Sequence, residues 1–127
     1  MISTADLFSR IVAGAPAFAA VLAEHLADNE ELLPHVLMAD CGRFVASHFV
    51  GSTEIVGGVP SEDDVRSVLS VLNTAMTWGD VETRNVIAVS FLEHLWMEPH
   101  YAAMSPLLGS ALQAEIKRQK RWYAKYT

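Results

Sequence analysis

The chain has 127 residues, 51% of them hydrophobic, with a mean hydropathy of +0.23 and a net charge of −6. That is enough for one domain with a buried core, 1–127, while no apolar run approaches the roughly 18–20 residues of a membrane span, and the lone Cys41 excludes an internal disulfide. Five of the nine basic residues (Lys117, Arg118, Lys120, Arg121, Lys125) fall in the last eleven positions, so the body before them is strongly acidic, which argues against a nucleic-acid partner and suits a basic protein partner.

The start, MISTADLFSR, lacks the basic-then-apolar pattern of a signal peptide, so a cytoplasmic protein without a membrane partner is expected. Ser3 or Thr4 can cap a first helix with Leu7, Phe8, Ile11 and Val12 on one face, ended by Gly14. Pro16 suits the first turn of a second helix carrying Phe18, Val21, Leu22 and Leu26, which runs out in the polar stretch Asp28-Asn29-Glu30-Glu31. Pro34 then opens a third helix, Leu33 to about Phe49, with Leu33, Val36, Leu37, Cys41, Phe44, Val45 and Phe49 as its stripe. The glycine-rich stretch 50–61 is the one long loop. It lacks the GK[ST] of a phosphate cradle, so it reads as a mobile or partner-contacting loop.

Ser61 and Asp64 stand in capping-box positions before a fourth helix, and Glu62, Asp63 and Asp64 favour its dipole. Val65, Val68, Leu69, Leu72, Ala75 and Met76 make its core stripe. After Trp78-Gly79, Asp80 caps a central helix predicted to reach Trp96, with Val81, Ile87, Ala88, Phe91, Leu92, Leu95 and Trp96 on its apolar face. So short a connection predicts an antiparallel hairpin over 63–96, like one unit of a HEAT-type repeat. Pro99 breaks the chain, 101–108 is a short helix or turn, and Ser110 can cap a last helix anchored by Leu112, Ile116, Trp122, Tyr123 and Tyr126. The expected fold is all-α, a compact bundle of about six helices with the hairpin at its centre.

Asp40 and His48 fall inside the third helix's stripe, Asn85 sits near the middle of the central helix's apolar face, and Arg84 lies on that face's edge. A buried carboxylate needs a partner, and Arg43, Arg84 and Asn85 are the candidates for Asp40. The cluster reads either as a packing contact that fixes helix register or as a polar pocket for a small ligand. Catalytic chemistry finds no support. HExxH, CxxC and GxSxG are absent, and Cys41 lies inside a helix. Glu93, His94, Glu98 and His100 lie close around Pro99, yet histidines at a helix end are commonly solvated, so no metal or cofactor is expected. The chain does not read as an enzyme.

The segments LLPHVLMADCGRF (32–44), GDVETRNVIAVSFLEHL (79–95) and PLLGSALQAEI (106–116) resemble a group of small bacterial helical proteins, many of them similar to immunity proteins of polymorphic or contact-dependent toxin systems. The block GD followed by N-x-IAVSFLE is its most specific element. The resemblance covers about two thirds of the chain and implies an all-α fold and a role in neutralising a cognate toxin domain by direct contact. The alternative is a helical scaffold or regulator outside toxin systems. An acidic inhibitor suits the basic cleft of a toxin that attacks nucleic acid. The acidic or aromatic patches for such a contact are Asp28, Glu30 and Glu31; Glu62, Asp63 and Asp64; and Trp78 with Asp80 and Glu82. The apolar content also leaves room for a homodimer.

Overall fold

Local caps and breakers set most of the helices in this computed structural model, which describes residues 1–51 and 55–126. Ser3 accepts the Asp6 N–H at 3.1 Å and starts α1, Thr4–Gly14, which buries Leu7, Phe8 and Ile11. α2, Phe18–Asn29, begins two residues beyond Pro16. It ends where Glu30 turns left-handed (φ 62°) and its N–H reaches Leu26 O at 2.9 Å. α3, Pro34–Val50, has Pro34 in its first turn and Gly51 (φ 70°) as its C-cap. α4, Glu62–Trp78, opens on a complete capping box, Ser61 and Asp64 each accepting the other's N–H. α5, Val81–Ile87, is capped by Asp80, which accepts the Thr83 N–H at 2.8 Å.

The central helix does not run to Trp96. Its α-helical pitch ends at Ile87, Ala88–Leu92 winds as a π turn, Glu93 is extended, His94 is left-handed (φ 64°), and Leu95–Met97 is a 3-10 turn. Packing decides this: the wider turn lies against α3 and α7 and buries Phe91 and Leu92. The predicted face holds in its middle, where Ile87, Phe91, Leu92 and Leu95 are buried, but not at its ends: Val81 is 73% exposed and Trp96 only half-buried, while Thr83 and Val86, outside the predicted stripe, are buried. α6, Tyr101–Met104, runs into a 3-10 turn, Ser105–Leu107. α7, Ser110–Tyr126, buries Leu112 and Ile116, while Trp122 and Tyr126 stay exposed.

The described residues form an all-helical bundle of seven helices with no strand. α4 packs on α1, α3, α5 and α7, so the α4–α5 pair is at the centre as expected, its second arm ending at Leu92. Around it lies one core that includes Phe8, Phe18, Phe44, Leu69 and Leu72, with Phe18 and Phe44 edge to face at 5.3 Å. Each such side chain contributes about 1.5–3 kcal/mol on burial. One contact has no helical origin. Ile2 lies along the α4–α5 corner, donating its N–H to Trp78 O at 2.8 Å and accepting from Asp80 N at 2.9 Å. Its side chain is buried there.

Candidate functional site

α2 and α3 present their polar residues to one recess of about 580 Å3. α2 places Glu24 and Asp28 one helical turn apart on its wall, and α3 adds Asp40 and Arg43. His25 lies between the two acids in sequence and is buried. Its Nε2 accepts the Leu33 N–H at 3.0 Å, which ties the end of α2 to the start of α3. Arg43 donates to Asp40, whose side chain is 29% exposed. Three carboxylates thus face one guanidinium, and Arg43 offsets only Asp40. Glu24 and Asp28 form no ion pair or side-chain hydrogen bond among the described residues.

The cluster expected of Asp40, Arg84 and Asn85 does not form. α5 turns Thr83, Val86 and Ile87 inward, so Arg84 and Asn85 are exposed on its outer side, while Asp40 faces the α2 recess. A ligand pocket made of those three residues is therefore ruled out. The remaining acids sort by what holds them. Asp64 and Asp80 are helix caps, and Glu62 lies 3.4 Å from Arg66. Asp63, Glu30, Glu31 and Glu82 are exposed without ion pairs among the described residues. Trp78 is 65% exposed at the end of α4, beside exposed Val81.

Sequence reading missed Glu24 and His25. The i, i+4 spacing of Glu24 and Asp28 was the available signal. His25 occupies the inward position that the stripe assigned to Leu26, which is exposed. Among the described residues no group of three or more His, Cys, Asp or Glu is placed to hold a metal. Glu93 and His94 approach to 3.4 Å, but His100 instead stacks on Phe49 at 6.2 Å. Burial, helped by the Asp40 charge, pushes the Cys41 thiol far above its usual range, so it stays a protonated core group. Of the loop 50–61, Ser52, Thr53 and Glu54 lie outside the described residues. Its far end is anchored by His48, whose Nδ1 is 2.9 Å from Pro60 O. Among the described residues no helix is long and apolar enough to cross a membrane.

Residues 8–123 match the family described as Domain of unknown function (DUF7674), and the chain belongs to that family. No curated protein and no solved structure matches the chain.

Proposed function

We propose that this member of the DUF7674 family is an immunity-type interaction protein that binds a basic toxin domain through the α2–α3 recess and blocks it. The observation that supports this reading is the pair Glu24 and Asp28, two carboxylates without an ion pair among the described residues, on the wall of a concave surface with a third, Asp40, across from them. Glu30 and Glu31 extend the negative surface just beyond the end of α2. A basic partner gains on-rate and orientation from such a surface, and an inserted Lys or Arg side chain meets unneutralised carboxylates. Blocking by contact needs a rigid, complementary surface and no catalytic group. Trp78, exposed at the α4–α5 corner, is a second anchor of the kind that dominates interface energies. The cytoplasm is the compartment in which such an inhibitor meets its toxin.

The test is a pull-down of the tagged protein from its native cells, with the bound protein identified by mass spectrometry. A stoichiometric toxin-like partner with a basic domain is expected, its binding falling as salt is raised. Glu24→Lys with Asp28→Lys should then weaken binding by about tenfold or more with an unchanged helical circular-dichroism signal. Full binding and protection by that double variant would remove the recess as the contact surface. Recovery of no partner from cells shown to express a neighbouring toxin gene would count against immunity itself.

A further inference from the structure

The π turn and left-handed His94 carry the chain past α7 and leave a cavity of about 290 Å3 between them, on different elements from the acidic recess. Aromatic rings dominate its wall: His94, Trp96, Trp122 and Tyr123. Three of them brace one another. The His94 centroid lies 5.9 Å from those of both Trp96 and Tyr123, and Trp96 and Tyr123 are 6.4 Å apart at 78°. Rings held in this way keep their faces oriented without a ligand, so little ordering is needed on binding.

The polar lining adds negative potential. Glu93 stands at the cavity, and its one ion pair among the described residues is with His94 Nε2, at 3.4 Å. Arg118 also lines the cavity, but Glu115 takes it up through contacts of 2.7–3.1 Å, which leaves that pair neutral. Gln119 donates through Nε2 to Ala88 O at 3.0 Å and to Glu115 Oε2 at 2.9 Å. Two acceptors on Nε2 fix the amide's orientation, and its Oε1 is buried without a hydrogen-bond partner among the described residues. The wall therefore combines ring faces and a carboxylate.

Both attract positive charge, and the volume lies at the small end of ligand sites. We propose that this cavity binds a small organic cation of the alkylammonium class, with a quaternary ammonium head against the aromatic wall. The inference does not depend on the toxin reading.

Choline chloride is the probe, titrated into the full-length protein while tryptophan fluorescence is followed, with sodium chloride as the ionic control. The neutral isostere 3,3-dimethylbutan-1-ol separates charge from shape. Saturable binding of choline is expected, with the alcohol about tenfold weaker. Trp122→Ala, a change at a side chain 58% exposed, should remove most of the affinity without loss of fold. Glu93→Gln should weaken binding about fivefold, and Trp78→Phe, outside the cavity, should leave it unchanged. Equal binding of choline and the alcohol, or a choline response no different from that of sodium chloride, would overturn the proposal.

Discussion

Asp80 is a carboxylate committed to a local task. The hydrogen bond from the Thr83 backbone N–H holds its carboxyl below the usual range. Its folded-state pKa is thus depressed, so the stabilisation is complete above the unfolded value of about 4 and is lost as pH falls through the folded one. Asp80→Asn keeps a good cap but removes the titration. Urea unfolding at about pH 7 and pH 3 should therefore show a larger loss for the parent chain than for the variant; equal losses would mean that the cap does not depend on charge. Asp80 was legible because capping is read from residues three positions apart. Arg84 and Asn85 were not, because their exposure depends on which face α5 turns inward, and its neighbours settle that. His25 and Leu26 exchange roles for the same reason: a shift of one position moves a side chain about 100° around a helix.

Among the elements, α1, α3 and α4 carry their own start signals and their boundaries follow the sequence closely, whereas α2 starts uncapped, two residues beyond the Pro16 expected in its first turn. α7 departs as well. Ser110 was expected to cap it, yet the acceptor comes from α4: Asn73 Oδ1 receives the Ala111 and Leu112 N–H groups at 2.9 and 3.1 Å. Nothing within a helical turn of Ser110 announces this. Gly109 has a matching reason to be glycine, because a Cβ there would lie 2.3 Å from the Asn73 side chain. Asn73→Ala should cost about 1–2 kcal/mol in chemical denaturation, as loss of an N-cap does. A cost near zero would mean that water replaces the amide. The π turn was equally out of reach, since an apolar run is compatible with either pitch until α3 and α7 are in place.

At the scale of the molecule, the rung between Ile2 and the α4–α5 corner joins chain positions far apart in sequence. Ile2→Ala removes buried apolar volume beside Gly79 and should destabilise the fold by about 2–3 kcal/mol. The Asp80 amide, which donates to Ile2 O, should then exchange faster with deuterium than the amides inside α3. Uniform acceleration across all helices would show instead that the rung is inseparable from global stability. The packing of α1 on α4 was likewise invisible to periodicity, which marks an apolar face without naming what covers it.

That packing also sets a schedule for biosynthesis. α1 leaves the ribosome roughly 60 residues ahead of the end of α4, its main neighbour, an interval of several seconds at about 5–20 residues per second. Throughout it Leu7, Phe8 and Ile11 have no finished surface to cover them, so the nascent chain offers a chaperone an early hydrophobic handhold that the completed protein withdraws.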